Sequence, residues 1–371
     1  MNVATPKFGM GASVLRLEDP AFITGRGRYT DDIAPQGTLH GYVLRSPFAN
    51  ASFRIVSTEA ARAAPGVHLV LTGADIGHIK DLASGAMQRQ PDGTRAPTKN
   101  IPVLCRDRVR HVGDAVAFVV AETRALAQDA AELIEIDYES DDAAASTATA
   151  LDADTPLVWP ELGSNQAFRY QFGDPAKVEA IFARAGHVTR IEFFNNRLVC
   201  NYMEPRAAIA EWKEDEGRFV LTTGSQGVHS MHRILCDLFG MPEEKLRVVT
   251  PDVGGGFGPK TFVYREYPLV IEAARRLGRP VKWTGDRTEH FLTDAQGRDN
   301  LVTAEMAMDA EGRFLALRVR NIANMGAYIS QFGPYIPYGG ATMSTGVYDI
   351  QALDVAITGV YTNTCPVDAY R

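Results

Sequence analysis

The chain has 371 residues, enough for two or three domains whose cores need no covalent staples. Hydrophobic residues make up 45% of it and charged residues 22%, and no apolar run approaches the ~20 residues of a membrane helix, so a span of that kind is excluded. With 38 basic against 45 acidic side chains the formal charge is −7, which speaks against nucleic acid or anionic lipid as a main partner and suits polypeptide or small-molecule partners.

Residues 1–7 are polar and lack the layout of a signal peptide, which implies a cytoplasmic location. Cys105, Cys200, Cys236 and Cys365 lie far apart without a C-x-x-C pair and read as buried thiols rather than a metal set or disulfide framework. Short apolar runs with turn punctuation predict strands over 38–44, 54–56 and 67–71. Between the last two, Ser57 or Thr58 caps a short helix over 59–64 that Pro65-Gly66 ends. Residues 84–99 read as a loop, and 114–120 as a buried strand. A helix follows with Leu126, Ala130, Leu133 and Ile134 on one face, then a strand in which Ile134, Ile136 and Tyr138 alternate.

The Ala-, Ser-, Thr- and Asp-rich stretch 140–154 offers little to bury and is the linker candidate, dividing the chain into domains at 1–150 and 151–371. Beyond it, Asp174-Pro175 starts a helix with Val178, Ile181, Phe182 and Ala185 as its apolar stripe and Gly186 as its stop. Strands are expected at 188–194, 218–222 and 246–250. Val228, Met231, Leu235 and Leu238 mark a helix ending at Gly240, and 262–277 a helix ending at Gly278-Arg279-Pro280. The fold class is α+β to mixed α/β.

The glycine-rich segment Asp252-Val253-Gly254-Gly255-Gly256-Phe257-Gly258-Pro259-Lys260 carries the most information. Glycines let the backbone approach a ligand and aim amide donors at phosphate or oxo groups, helped by a following helix N-terminus. Pro259 breaks the spacing of a nucleotide P-loop, and no further glycine completes a dinucleotide fingerprint. On the residues alone, a tight structural turn and a ligand loop stay equally open. Gln226, between glycines on a strand-to-helix loop, can present an amide donor to a cleft or merely be solvated. His229 and His232 share a helical face without a third metal ligand and receive no role, while Glu204 fits a structural ion pair as well as a general base.

With Leu277-Gly278-Arg279-Pro280-Val281-Lys282-Trp283, the glycine segment resembles the large subunits of the molybdenum hydroxylases, the xanthine dehydrogenase, aldehyde oxidase and carbon monoxide dehydrogenase family. Ile23-Thr24-Gly25-Arg26-Gly27-Arg28-Tyr29, Leu44-Arg45-Ser46-Pro47, Val112-Gly113-Asp114-Ala115 and Ile136-Asp137-Tyr138-Glu139 are similar to the family's hammerhead domain. Asn324-Met325-Gly326-Ala327-Tyr328, Thr362-Asn363-Thr364 and Ala369-Tyr370-Arg371 are similar to the first part of its molybdopterin-binding domain.

The resemblance implies oxidation of an aldehyde, an N-heterocycle or CO with water as oxygen source, at molybdenum carried by a pterin, in the cytosine dinucleotide form of many bacterial members. It implies that Gln226 donates its amide toward an oxo ligand, that Gly255, Gly256, Phe257 and Gly258 contact the cofactor, and that Arg371 stands near the metal without ligating it. Thr261 occupies the place of a substrate-orienting glutamate in purine-oxidising members. The family's general base falls beyond Arg371. Implied partners are an iron–sulfur small subunit, an FAD-binding medium subunit, and a second large subunit or complementary C-terminal half. The alternative is a catalytically incomplete fragment or an assembly half-subunit.

Overall fold

The structure is a computed structural model that describes residues 9–85 and 89–370. Its centre is a seven-stranded sheet, from one edge to the other Leu246–Val249, Arg218–Thr223, Ala207–Lys213, Val281–Thr284, Leu39–Arg45, Ala115–Ala121 and Val67–Thr72. Strands from both sides of residue 150 therefore share one sheet. The seam is the parallel pairing of Leu39 with Val281 and Gly41 with Trp283. All seven residues of Ala115–Ala121 are buried, as an unbroken apolar run requires of a strand covered on both faces. Helix Arg124–Ala131 packs against Leu39–Arg45 and Ala115–Ala121, and helix Glu266–Leu277 against Ala207–Lys213 and Val281–Thr284.

Two further sheets flank the centre. Arg108–Val109, Ala51–Ser57 and Glu135–Ser140 form a small antiparallel sheet. A five-stranded sheet runs Gln166–Gly173, Ala352–Tyr361, Phe314–Gly326, Asn300–Met308, His187–Asn195, and only its Phe314–Gly326 and Ala352–Tyr361 pair is parallel. Its outer strand, His187–Asn195, expected at 188–194, is exposed along its whole length and buries neither face.

Most expected elements lie within a residue or two of their places, and the departures have local causes. The hydroxyl of Thr123 caps helix Arg124–Ala131 by accepting from the Leu126 amide, and the helix buries Ala127, Ala130 and Ala131. Leu133, expected on that face, lies past its end and is exposed. Asp174 caps Pro175–Phe182 as expected, but that helix stops before Gly186, whose amide donates to the Met308 carbonyl instead. The expected helix over 262–277 begins only at Glu266, because Phe262, Val263 and Tyr264 are drawn into the core as extended or turn residues after the short 3-10 turn Pro259–Thr261. The 254–258 loop is thus not followed directly by a helix N-terminus. The stretch 140–154 is mostly exposed but is tied down at points: Ala144, Thr147 and Ala150 are buried, and Ala144 exchanges two hydrogen bonds with Asn363.

The helix start at Arg265-Glu266 carries two buried charges into the N-terminal region. Arg265 meets Asp114 at 2.5 Å, and Asp114 also accepts from the Tyr328 hydroxyl at 2.9 Å and the Arg110 amide at 2.6 Å. Glu266 bridges Arg45 at 2.7 Å and Arg206 at 2.8 Å. Burial alone would raise both carboxyls, but His111 and Arg265 hold Asp114 well below the carboxylate range, and Arg206 and Arg45 hold Glu266 at about 2.

A depressed folded pKa contributes stability that is complete above the unfolded value and lost as pH falls through the folded one. The chain should therefore lose stability between about pH 4.5 and about pH 2. Urea midpoints across that range should show Glu266→Gln flattening the slope while costing about 1–3 kcal/mol at pH 7, because Arg45 keeps Glu289 and Arg206 keeps Asp294 as partners.

Candidate functional site

Arg218–Thr223 and Leu246–Val249 are parallel neighbours, paired Phe219 to Leu246 through Thr222 to Val249. Parallel strands release their C-terminal loops at the same edge of a sheet, and there ligands of α/β folds collect. Gln226 lies on the first of these loops, ahead of helix Val228–Phe239, and the 254–258 segment on the second.

The two loops are joined directly. The Gly258 amide donates to Gln226 Oε1 at 2.8 Å, and the Gln226 amide donates to the Lys260 carbonyl at 3.0 Å. Because a backbone N–H can only donate, the first bond fixes which end of the side-chain amide is oxygen. The Nε2 end finds no acceptor among the described residues and is left to donate. The amides of Gly255, Gly256 and Phe257 likewise find no acceptor among the described residues.

The glycines here are required by space as much as by conformation. A Cβ on Gly256 would stand 2.5 Å from Gln226 Oε1, and one on Gly258, at φ +118°, 2.6 Å from the Ala369 carbonyl oxygen. Phe257 takes a left-handed backbone, φ 48°, and its ring is half exposed. Together with Gln226, Gly258, Arg298, Ile336 and Tyr370 it lines an open cleft of about 560 Å³.

Of the expected site residues, Gln226, Gly256, Phe257 and Gly258 come together, with Gly255 packed over Tyr202 at the back of the loop. Arg371 lies outside the described residues. Thr261 is not part of the cleft wall; it closes the 3-10 turn with its amide on the Gly258 carbonyl. Glu204 proves to be a paired group, 2.7 Å from Lys260 Nζ and 2.7 Å from the Gly254 amide. His232 is satisfied by the Glu243 and Leu246 carbonyls, and no cluster of three or more His, Cys, Asp or Glu fit to hold a metal exists among the described residues. The four cysteines are buried free thiols, pushed up to about 11 at Cys200 and Cys236 and about 12 at Cys105 and Cys365 by that burial.

Arg298 was not legible in the sequence. It and Asp299 are consecutive non-glycine residues in the left-handed region, φ 70° and 67°. Asp299 is held there by Arg197, Thr147 and Asn324, which all donate to its carboxylate. Arg298 reaches across the cleft to the Tyr370 carbonyl at 2.9 Å. Aspartate tolerates that backbone better than most residues, but the arrangement depends on three partners distant in sequence.

Comparison with known proteins defines the class. Residues 158–371 match the molybdopterin cofactor-binding domain, and residues 24–142 the a/b hammerhead domain of aldehyde oxidase and xanthine dehydrogenase. The chain belongs to this molybdopterin-binding family, as the large subunits of molybdenum hydroxylases do.

The nicotine 6-hydroxylase large subunit of Paenarthrobacter nicotinovorans is 36% identical over 98% of this chain and 44% of its own length. The crystal structure of quinoline 2-oxidoreductase from Pseudomonas putida 86 superposes with a TM-score of 0.90 at 36% identity, over 99% of this chain and 46% of that one. The chain thus spans a little under half the length of these relatives. A more distant one, the nicotinate dehydrogenase large molybdopterin subunit of Eubacterium barkeri, is 25% identical and is covered over 81% of its length.

The glycine contacts separate two substitutions. Gly256→Ala collides only with the movable end of Gln226 and should displace it at a cost within about 1 kcal/mol, whereas Gly258→Ala meets backbone at positive φ and should cost about 1–3 kcal/mol. Thermal midpoints of the two variants check the order.

Proposed function

We propose that this chain builds one wall of the molybdenum–pterin site of a molybdenum hydroxylase, which oxidises an aldehyde, an N-heterocycle or CO with water as oxygen source. The observation that carries the reading is the Gly258–Gln226 hydrogen bond, which fixes the side-chain amide with its donor end unused at the cleft. The residues fit the cofactor. Three successive amides lack acceptors among the described residues, and the space a Cβ would take at Gly256 and Gly258 is already occupied, so the loop backbone itself forms the surface offered to a ligand.

When bound, the molybdenum–pterin group supplies the two-electron acceptor and the oxygen-bearing centre. Gln226 Nε2 would donate to an oxygen of the group, the amides of residues 255–257 would hold further polar atoms of it, and the Phe257 ring, half exposed at the cleft, would face the bound molecules. A donor held in place before reaction stabilises developing negative charge without reorganisation. By the family resemblance, Arg371 would supply a guanidinium able to polarise an oxygen-bearing substrate.

The same reading divides the chain into a hammerhead domain at 1–150 and the first part of the molybdopterin-binding domain at 151–371, and assigns the cytosine dinucleotide form of the cofactor. It places iron–sulfur and FAD centres on partner subunits and the assembly in the cytoplasm. No helix among the described residues is long and apolar enough to cross a membrane.

A second reading, a half-subunit that is completed by another polypeptide, is supported by the 81% coverage of the nicotinate dehydrogenase subunit. It is also supported by Val188, Ile191, Phe193 and Phe194, exposed on the outer strand His187–Asn195, since an uncovered apolar edge invites pairing.

Metal analysis, size-exclusion chromatography and dye reduction, run on the chain with and without the polypeptide encoded next to it, test both readings. The lone chain should self-associate, hold little molybdenum and reduce no dye, and the completed assembly should hold molybdenum and turn over. A monomeric, molybdenum-replete, active 371-residue preparation would overturn the half-subunit reading, and a completed assembly without molybdenum would overturn both. In the active assembly, Gln226→Ala should lower turnover on the order of 10²–10³-fold, the effect of removing one preorganised donor.

A further inference from the structure

Lys260 has the residue type of a phosphate-binding lysine but, behind Pro259, not the spacing. Its side chain is 1% exposed and points into the protein. Its ammonium donates to Glu204 Oε2 at 2.7 Å and to the Glu204 carbonyl at 2.9 Å, and lies 4.6 Å from the centre of the Tyr202 ring. Those contacts account for the three N–H directions of a lysine, a compact donor that a planar guanidinium would not replace.

What hangs on this buried cation is both halves of the candidate site. Glu204 accepts from the Gly254 amide through Oε2 and donates its own amide to the Gly254 carbonyl at 3.1 Å, so it grips the glycine loop at its first residue from both sides. Tyr202, under the ammonium, is also the floor of the loop: a Cβ on Gly255 would stand 2.9 Å from Tyr202 Cβ. The Lys260 carbonyl, finally, holds the Gln226 amide. Two loops that follow different strands are therefore referred to one lysine, through its side chain for the 254–258 segment and its main chain for Gln226.

We propose that Lys260 is the positioning residue of this site: with Glu204 as its arm, it sets the glycine loop and Gln226 in register with each other. The proposal deepens the site reading above and rests on it for what that register serves. The geometric claim concerns this chain alone. A lysine that merely balanced a buried charge would act on global stability; a positioning lysine acts on two loops. Burial pushes the Lys260 pKa down while the hydrogen bond it donates to Glu204 pulls it back, in keeping with an ammonium retained for its contacts.

Hydrogen exchange on the 371-residue chain, together with its thermal midpoint, separates these roles without cofactor. Lys260→Met should speed exchange at least about tenfold in peptides covering residues 224–230 and 252–259, with helix Glu266–Leu277 unchanged. Glu204→Gln/Lys260→Met removes both charges, so it should recover most of the lost thermal midpoint but not the loop protection.

Wild-type protection of both loops in Lys260→Met, or recovery of loop protection along with the midpoint in the double variant, would overturn the proposal. If Lys260→Met alone does not fold, the charge-balanced double variant is compared directly with wild type, and wild-type protection in it has the same overturning force. Absence of molybdenum from the completed assembly would defeat the site reading while leaving the exchange result standing.

Discussion

Arg265 and Glu266 are adjacent in the chain, yet each carries its charge into a different buried pair with the N-terminal region, Arg265 to Asp114 and Glu266 to Arg45. Removing such groups from water costs several kcal/mol per ion, and only close geometry with full hydrogen bonding offsets it. Asp114 meets that demand with donors from Arg110, Tyr328 and Arg265, and Glu266 with two guanidiniums. A hydrophobic contact would tolerate sliding, whereas these pairs tolerate little, and they fix Arg265 and Glu266 against residues 151 and 221 positions earlier in the chain.

That anchoring explains how a loop of glycines can hold a defined shape. Glycine has the largest conformational entropy to lose, so residues 254–258 need external constraint. One end is held through Glu204 and Lys260, and the other runs into the Arg265-Glu266 anchor. In between, Gly258 is tied to Gln226. Arg206, spanning Glu266 and Asp294 with its guanidinium 3.7 Å from the Tyr264 ring centre, links the anchor to the layer beneath the loop, where Asp294 also accepts from the Tyr202 hydroxyl. The loop is thus tied at both ends to charged, buried surroundings.

On the opposite side of the cleft the constraint is conformational. Arg298 and Asp299 adopt backbone that costs on the order of 1 kcal/mol or more each for non-glycine residues. The cost is offset by the polar set around Asp299, in which Arg197 also reaches Gln296, Thr364 and the Cys365 carbonyl. The same set gathers the end of the described chain, from Thr364 to Tyr370, onto the cleft.

Local information sufficed for much of this molecule. The short apolar runs at Leu39–Arg45 and Val67–Thr72, the Asp174 cap and the Gly240 and Gly278 stops are set by neighbours within a turn or two, and could be read directly. The composition of the 254–258 loop announced close backbone approach, and the order of motifs announced the family, but neither placed Gln226 against Gly258. That took two parallel strands with a helix between them. The start of helix Glu266–Leu277, the burial of Ala144 and Thr147 and the left-handed Arg298 were beyond reach for one reason. Each is decided by partners far outside the local window, where the desolvation of charges and the filling of a shared core outweigh local propensity. Sequence alone determined which segments become strands and helices and where a glycine-rich loop falls between them; tertiary structure decided which charges face inward, because only there do their counter-charges meet.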